Sequence, residues 1–453
     1  ISKGKYITVL PTTGYTYYRS IDTRKHEYYI AESLPWTCFY GEVEAVKSIC
    51  MEDELWLQLN GYASMDDQTM FYKAHLKGIK TVVVSDAVYE HLDAKTSRRV
   101  LEDIAYAMEF NRYVFWHRFI YSIDTGFKKV FDTNFAADLT IMEEATELLG
   151  RIKNGGVLPM ITSCSPGWVN YAEINYGELL PHLSSCKSPH QMQGAIIKSY
   201  YAQKNNIDPK DIFVVSIMPC TAKKFEKERP EMEVEGLRDV DAVLTTRELA
   251  KLIKRSGINF NKLPDEEFDQ DIMGEYTGAG VIFGTTGGVM EAALRTAYHA
   301  LTGKEHEAVK FEAVRGMEGL KEAAIEINGQ EIKVAVASGM KNAKVLLDQI
   351  KEGNSPYTFI EIMGCPGGCV NGGGQPYVKP VFLPNEDLNI YDTYREKRAQ
   401  ALYSEDERQA LRQSHNNTQI QALYKEFLGE PNSHKAHELL HTHYKARVKF
   451  PEK

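Results

Sequence analysis

The feature that most constrains the fold of this chain is a set of cysteine-bearing loops, each placed after a predicted β-strand. The loops span residues 162–168, 218–226 and 361–376, and they carry Cys164, Cys220, Cys365 and Cys369. The carboxyl ends of parallel strands meet at one edge of a sheet, and this edge is where bound molecules usually lie. We therefore expect these cysteines to converge in space. Thiolates gathered from separate loops are typical of an iron–sulfur cluster rather than of a compact zinc site.

Composition restricts the classes of function. The chain has 453 residues, seven cysteines and a net charge of -9 at pH 7. An odd number of cysteines placed in loop motifs indicates metal ligands rather than disulfides, and therefore a reducing, cytoplasmic location. The negative charge argues against wholesale binding of nucleic acid or anionic membranes. No apolar run reaches the roughly 18–20 residues that a membrane span requires, so we expect no span.

Alternation of strand and helix patterns beyond residue 124 predicts the fold class. Strands are expected at 81–85, 157–162, 212–218 and 357–363, and helices at 100–120, 139–153, 246–256, 288–301 and 343–352. Asn328 and Gly329 predict a hairpin turn. This pattern indicates an α/β fold in which parallel or mixed sheets are flanked by helices. The polar, histidine-rich tail from Tyr394 is predicted to form a surface helical cap.

In order and spacing, the cysteine loops resemble the signatures of the [FeFe]-hydrogenase catalytic domain, and further matching stretches lie at 131–135, 142–144, 274–288 and 414–417. The likeness runs from about residue 125 to residue 450. It implies a cluster between two lobes, in which a [4Fe–4S] cubane is joined to a diiron subcluster carrying CO, cyanide and a bridging dithiolate. It also implies reversible interconversion of protons and electrons with H₂. The implied partners are ferredoxin or another electron-carrier subunit, and hydrogenase maturation factors.

The resemblance assigns metal ligands position by position. Cys220, Cys365 and Cys369 match cubane ligands, and Cys369 matches the thiolate that bridges to the diiron unit. Ser165 occupies the place of the fourth cysteine ligand, although an alkoxide is a harder and far more basic donor than a thiolate. Three outcomes are open: Ser165 binds iron, Cys164 binds iron at the expense of proton transfer, or the cluster is labile.

Further residues are assigned to the cofactor pocket by the same resemblance. Lys223 matches the residue that donates a hydrogen bond to a cyanide, and Met218 and Met363 match the apolar packing around the diiron unit. Pro219 and Gln375 belong to the same pocket. A buried anionic cofactor needs a compensating cation and hydrogen-bond donors, which makes this assignment physically coherent. Without the resemblance, Lys223 would be interpreted as a solvated helix charge.

A proton route is the last assignment within the hydrogenase-like part. Glu144 and Glu147 lie three residues apart and therefore on one face of a helix, with Arg151 one turn beyond. The resemblance assigns Cys164, Glu144, Ser184, Glu147 and Arg151 to a relay between the buried site and solvent. Taken alone, the two glutamates would be interpreted as part of a solvated helix face.

Residues 1–123 are predicted to form a separate domain, followed by a second domain over 124–453. The amino-terminal segment resembles part of a family 2 glycosyltransferase, and the likeness rests on residues 66–68, 78–84, 87–91 and 112–119. By resemblance Asp67 would be an acceptor-side base and His91 a metal–nucleotide contact, whereas a surface acid and a packed histidine are the ordinary interpretations. The donor half is not in this sequence, which argues against transferase activity. Because two unlike resemblances meet near Asp124, the sequence suggests a chimeric chain.

Three functions therefore compete. The leading one is an [FeFe]-hydrogenase that interconverts protons and electrons with H₂. The second is a non-catalytic iron–sulfur redox sensor or an inactive hydrogenase homologue, which Ser165 favours. The third is a glycosyltransferase fragment joined to a passive carboxy-terminal half.

Overall fold

The computed structural model describes residues 2–9, 16–18, 28–31, 47–49, 66–79, 81–84, 127–256, 258, 260–305, 314–327, 329–377 and 390–449. The chain divides into two compact units, Ile1–Lys128 with Ala250–Glu266 and Lys129–Leu249 with Glu267–Lys453. The helix predicted over 100–120 lies outside the described residues, as does His91.

The first unit contains a four-stranded sheet with the order β2-β1-β3-β4. Its strands are β1 (Ser2–Val9), β2 (Thr16–Tyr18), β3 (Tyr28–Ala31) and β4 (Thr81–Val84). The β-branched run at 81–85 was expected to be a strand, and β4 confirms it. Helix α1 (Asp66–Leu76), which contains Asp67, buries Met70, Phe71 and Ala74 in a small core.

The second unit is built on a sheet with the order β10-β11-β12-β5. The strands of this unit are β5 (Met160–Ile161), β6 (Val215–Met218), β7 (Glu233–Val234), β8 (Leu237–Arg238), β9 (Ala242–Thr245), β10 (Leu320–Ile327), β11 (Gln330–Ser338) and β12 (Phe359–Met363). β10 and β11 are antiparallel, whereas β11, β12 and β5 run parallel, as do β6 and β9. The predicted mixed α/β class is confirmed, and so is the hairpin, in which Ile327 pairs with Gln330.

Helices surround these strands. Those that follow α1 are α2 (Thr133–Asn154), α3 (Pro166–Asn175), α4 (Pro189–Ile196), α5 (Ala202–Asn205), α6 (Lys223–Glu226), α7 (Thr246–Arg255), α8 (Gly278–Ile282), α9 (Gly288–Thr302), α10 (Met340–Lys351), α11 (Ile390–Arg408), α12 (Thr418–Leu423) and α13 (His434–Leu440). Short 3₁₀ turns lie at Gly177–His182, Pro209–Asp211, Phe260–Lys262, Cys369–Asn371 and Ser414–Asn416, and π-helical turns at Ile197–Tyr201 and Tyr424–Leu428.

The long helix α2 starts earlier than the sequence pattern predicted. Asp132 caps it, because its side chain accepts a hydrogen bond from Asn134 N at 2.9 Å. The helix ends at Gly155, whose φ of 70° is readily adopted by glycine. Asp138, in the first turns of this helix, is buried and accepts hydrogen bonds from Thr277 and Ser414.

The strands that lead into the cysteine loops are shorter than predicted. Residues 157–162 were expected to be a strand, but only Met160 and Ile161 pair with β12. The carbonyl of Val157 instead accepts a hydrogen bond from Arg151 Nη1 at 3.2 Å. It therefore does not take part in pairing with a neighbouring strand. Likewise Val214 N donates to Asp241 Oδ2 at 2.7 Å just before β6 begins.

The carboxy-terminal tail is helical, as predicted, but it does not lie wholly on the surface. Ile420, Leu423 and Leu440 are buried in one hydrophobic cluster with Phe135 of α2 and Met192 of α4. Much of α11 is exposed, but these apolar residues of the later helices lie inside the second unit. This part of the tail therefore belongs to the core.

A buried ion-pair network fastens α11 to α9. Arg295 donates to both carboxylate oxygens of Asp406 at 2.9 Å and to Glu291 Oε1 at 2.6 Å. Arg412 also donates to Asp406, and a Cβ atom on Gly278 would collide with the same carboxylate. Burial by itself would raise the pKa of Asp406, but the two arginines outweigh it and lower that pKa.

Candidate metal centre

The third cysteine loop begins where β12 ends. Cys365 follows Met363 by two residues, and Cys369 starts a short 3₁₀ turn. Between them Gly368 has a φ of 96°, and a Cβ atom there would lie 2.7 Å from Gly284 O. Only glycine fits this position, because it combines a left-handed backbone with close approach to a neighbouring chain segment.

Glycines after Cys369 bring this loop against the loop that carries Cys220. Gly374 N donates to Pro219 O at 2.8 Å. A Cβ atom on Gly372 would collide with the same carbonyl oxygen, so the two backbones can approach only because residue 372 is glycine. The three thiols of Cys220, Cys365 and Cys369 are thereby brought within electrostatic reach of one another.

The thiols act on one another's protonation. The pKa of Cys369 is raised to about 12, chiefly by burial and next by the neighbouring Cys220. Burial also raises the pKa of Cys365, whereas a hydrogen bond from Gly373 N–H to its sulfur lowers it. Closely spaced buried thiols favour their ionised forms only when a cation is bound among them.

We expect Gly372→Ala to disturb this junction. The added methyl group would strike backbone of the Cys220 loop, which cannot rotate away, so we expect a loss of about 1–3 kcal/mol in the free energy of unfolding and a lower iron content. Denaturant titration and iron analysis measure the two effects. Gly150→Ala is the matched control, because a Cβ atom at that helical position meets no atom within 4 Å.

Ser165 lies beside the same loop. It precedes Pro166 at the start of α3, and its hydroxyl accepts a hydrogen bond from Gly364 N at 3.1 Å. The hydroxyl therefore lies against the residue before Cys365 and does not cap its own helix. Cys164, its neighbour, packs against the same hydrophobic cluster as Cys369.

The donor set fits an iron–sulfur cluster. It offers three thiols, a backbone N–H directed at the sulfur of Cys365, and a buried lysine, which together suit an anionic, sulfur-ligated group. Among the described residues of these loops, the remaining candidates for a fourth ligand are Ser165 and Cys164. The ligand assignments themselves stay predictions.

Lys223 is buried and held between two acceptors. Its Nζ atom donates to Cys164 O and to Glu226 Oε2, each at 2.9 Å. Burial by itself would lower the pKa of Lys223, but Glu226 and Cys220 outweigh it and raise that pKa, so the lysine is charged. The interpretation of Lys223 as a solvated helix charge was wrong.

Sequence reasoning missed the partners of Lys223. His190 Nε2 lies 2.5 Å from Glu226 Oε2, and its Nδ1 lies 3.0 Å from Ser216 Oγ. Burial would raise the pKa of Glu226, yet Lys223 and His190 bring it to about 2. The three-residue spacing of Lys223 and Glu226 on one helix was the only signal in the sequence, and nothing there indicated His190.

The predicted relay residues lie together. Ser184 Oγ donates to Glu147 Oε2 at 3.2 Å, and Arg151 donates to Glu147 Oε1 at 2.6 Å. The pKa of Glu144 is raised to about 8, chiefly by burial; a hydrogen bond from Ser184 opposes this rise and the nearby Glu147 adds to it. The Glu144 carboxyl acts in turn on Cys164, whose thiol pKa is raised first by burial and then by Glu144.

A second set of polar contacts leads away from Glu147, and the sequence did not indicate it. Ser185 Oγ donates to Glu147 Oε2 at 3.0 Å and lies 2.8 Å from His441 Nδ1. His441 Nε2 lies 3.1 Å from Glu143 Oε2. The abundance of histidine in the tail was the available signal, but the sequence separation of His441 from α2 hid the contact.

The other pocket residues are more scattered. Met363 is buried in the cluster against which Cys164 and Cys369 pack. Met218 packs instead against the valines around β6 and β9. The carbonyl of Pro219 and the backbone N–H of Gln375 take part in the hydrogen bonds that join and close the loops.

A family model described as "Iron only hydrogenase large subunit, C-terminal domain" matches residues 105–373, which is more than half of the chain. The chain belongs to the iron-only hydrogenase family. A second model, "Iron hydrogenase small subunit", matches residues 392–447, where α11, α12 and α13 lie. Membership of this family implies iron–sulfur chemistry and an oxidoreductase ancestry.

The individual relatives include hydrogenases and an iron–sulfur assembly protein. Iron hydrogenase 1 of Clostridium pasteurianum is 52% identical over 71% of this chain and 54% of the relative, so the chain spans about half the length of that relative. An apo [FeFe]-hydrogenase from Chlamydomonas reinhardtii has 46% identity and a TM-score of 0.61 over 71% of this chain and 86% of that one. Cytosolic iron-sulfur assembly component 3 of Bos taurus is 33% identical over 71% of this chain and 67% of the relative.

The suggested glycosyltransferase likeness and the chimeric chain find no support in these matches. The hydrogenase model begins at residue 105, inside the segment of 1–123 to which the likeness was assigned. The domain boundary at 123/124 stays a prediction. Within the described part of the chain, no helix is long and apolar enough to cross a membrane.

Proposed function

We propose that this chain is the catalytic part of an [FeFe]-hydrogenase, which interconverts protons and electrons with H₂. The observation that carries the proposal is the convergence of Cys220, Cys365 and Cys369, with Cys164 and Glu144 beside them. Membership of the iron-only hydrogenase family supports it. The proposal concerns this chain alone, since it spans about half of its curated hydrogenase relative.

Cys220, Cys365 and Cys369 would hold a [4Fe–4S] cluster joined to a diiron subcluster with CO, cyanide and a bridging dithiolate, and either Ser165 or Cys164 would be the fourth donor. When bound, this group supplies reversible electron transfer and the iron centre for H₂ chemistry. Lys223 would place one buried positive charge beside it, because Glu226 and Cys220 keep the ammonium protonated.

Protons would travel along the carboxyl and hydroxyl groups beside Cys164. The thiol keeps its proton at neutral pH because burial raises its pKa, so it can donate that proton and take up another. Glu144, with a pKa of about 8, is poised to exchange protons near neutral pH. Ser184 and Glu147 would pass the proton on, and Arg151 holds the Glu147 carboxylate in place.

Electrons would reach the site from a separate carrier. We propose ferredoxin or another electron-carrier subunit as the partner, maturation factors as the source of the diiron group, and the cytoplasm as the location.

Production together with hydrogenase maturation factors, without oxygen, tests the function. We expect bound iron and sulfide, infrared bands from metal-bound CO and cyanide, and H₂ evolution with a reduced one-electron donor. Absence of both the infrared bands and H₂ evolution from iron-loaded protein would contradict the proposal.

A second candidate is a non-catalytic iron–sulfur protein on the same fold. Ser165 favours it, because a hydroxyl replaces the expected thiolate, and so does the 33% identity to an iron-sulfur assembly component. A stable cluster without CO and cyanide bands, and without H₂ turnover, would favour this candidate over the first.

A further inference from the structure

A second group of potential metal ligands lies apart from the cysteine loops. It consists of His299 near the end of α9, Glu305 just beyond that helix, and His415 in the turn Ser414–Asn416. One ligand atom from each residue lies within 4.8 Å of the others. None of these residues has a part in the proposed hydrogenase reaction.

The distances match those of a small metal site. Glu305 Oε1 lies 3.2 Å from His299 Nδ1 and 2.8 Å from His415 Nε2. Zinc bonds of about 2.0–2.2 Å to nitrogen and oxygen in tetrahedral geometry place ligand atoms about 3.3 Å apart. The two rings are stacked with planes 15° from parallel, so admission of the ion also requires one ring to turn until its nitrogen lone pair points at the ion.

The surroundings of the two imidazole nitrogens favour binding of a cation. His415 Nδ1 lies 3.3 Å from Thr296 Oγ1, and donation of the Nδ1 proton to that oxygen would leave the Nε2 lone pair directed at the site. His299 Nδ1 is shielded from solvent and lies 3.2 Å from Glu305 Oε1, but among the described residues no contact of this atom has hydrogen-bond geometry. A bound cation would satisfy this atom.

The stacking of the two imidazole rings indicates that they are not both charged. They stack with centroids 4.1 Å apart and planes 15° from parallel, an arrangement that two imidazolium cations would oppose by repulsion. Neutral imidazole is the form that binds metals.

We propose that His299, Glu305 and His415 form a binding site for a divalent transition metal, with Zn²⁺ as the best match to two imidazoles and one carboxylate. The side chain of Glu305 is 45% exposed and that of His299 is 40% exposed, so an ion can enter from solvent. A water molecule would complete the coordination, since the chain supplies three ligands.

The site would act as a clamp between two parts of the chain. His299 and Glu305 lie in the stretch matched by the large-subunit model, whereas His415 lies in the stretch matched by the small-subunit model. An ion held by both parts stabilises the folded state by its binding free energy, because the unfolded chain does not assemble the three ligands.

Titration of the cluster-loaded protein with ZnCl₂ tests the proposal. We expect one zinc ion per chain in addition to iron, and a rise in the melting temperature on zinc addition. His299→Gln and His415→Gln should each weaken zinc binding by at least about tenfold, the loss that removal of even an outer-shell partner produces. Because His299 is at a helix end and partly exposed, its variant remains informative if the His415 variant does not fold.

Controls distinguish this site from the other histidines of the chain and from its thiols. His443→Gln removes an exposed histidine elsewhere and should leave zinc affinity unchanged. X-ray absorption at the zinc edge should show nitrogen and oxygen neighbours near 2.0–2.1 Å without sulfur at about 2.3 Å. No zinc binding below millimolar concentration would overturn the proposal. A zinc–sulfur signal that Cys186→Ser removes would overturn it too, because it would place the ion at Glu147, Cys186 and His441.

Discussion

Ser165→Cys should raise the iron content of the purified chain and slow the loss of iron to a chelator by at least about tenfold. The hydroxyl of Ser165 already lies against Gly364, next to Cys365, so a thiol there joins the other three donors. A thiolate is softer than an alkoxide and is formed far more readily, which favours iron. Iron and sulfide analysis before and after chelator treatment measures the effect.

Ser163→Cys is the matched control, because it adds a thiol two residues away at a hydroxyl that bonds to Cys186 O instead. It should not improve iron retention. Equal retention in the parent and in Ser165→Cys would show that residue 165 is not a ligand position. H₂ evolution measured per loaded cluster then separates the two candidate functions, because the non-catalytic one predicts a silent parent.

Cys164→Ala, made in both the parent and the Ser165→Cys variant, identifies the fourth iron ligand of this chain. If Cys164 binds iron when residue 165 is serine, Cys164→Ala should remove iron from the parent but not from the Ser165→Cys variant. If Ser165 itself binds iron, Cys164→Ala should leave the iron content unchanged in both and reduce only proton transfer.

Glu144→Gln should lower H₂ turnover by about 10²–10⁴-fold without loss of iron, since proton transfer by a positioned group contributes on that order. The amide has nearly the same shape but cannot release and regain a proton. In the parent the pKa of Glu144 is raised to about 8, chiefly by burial, so the carboxyl carries its proton at pH 7 and loses it above pH 8. H₂ evolution in the parent should therefore fall as pH rises through about 8.

Rates from pH 6 to 9, divided by cluster content, measure this prediction, and the decline near pH 8 should be absent in the variant. Glu143→Gln is the control, because Glu143 is a buried neighbour on α2 whose carboxylate accepts hydrogen bonds from Tyr424 OH and Asn432 N. It should lower stability while turnover per cluster stays close to that of the parent. Full turnover in Glu144→Gln would remove Glu144 from the relay.

The cysteine loops were predictable because strand ends and glycines carry local signals. Gly368 and Gly372 are required by backbone geometry and close approach, and such requirements are visible as residue types in a sequence. The hairpin at Gly329 was found for the same reason. In each case a few neighbouring residues decide the conformation.

Contacts between distant segments were not predictable in this way. Without the family resemblance Lys223 would have been interpreted as an exposed charge, because its contact with Glu226, which His190 also contacts, is not visible in the sequence pattern. Asp138 gave no signal in the sequence, because its partners Thr277 and Ser414 are far away along the chain. The role of a polar residue of this kind depends on tertiary contacts, which a local sequence pattern does not contain.

The buried face of the tail has a consequence for assembly. Its leucines and isoleucine complete a hydrophobic core with α2 and α4, in the stretch that matches a small-subunit model. For two separate chains, that association would depend on concentration and would weaken on dilution. Here one polypeptide carries both parts, so the tail encounters its core at a fixed effective concentration, and dilution cannot remove it.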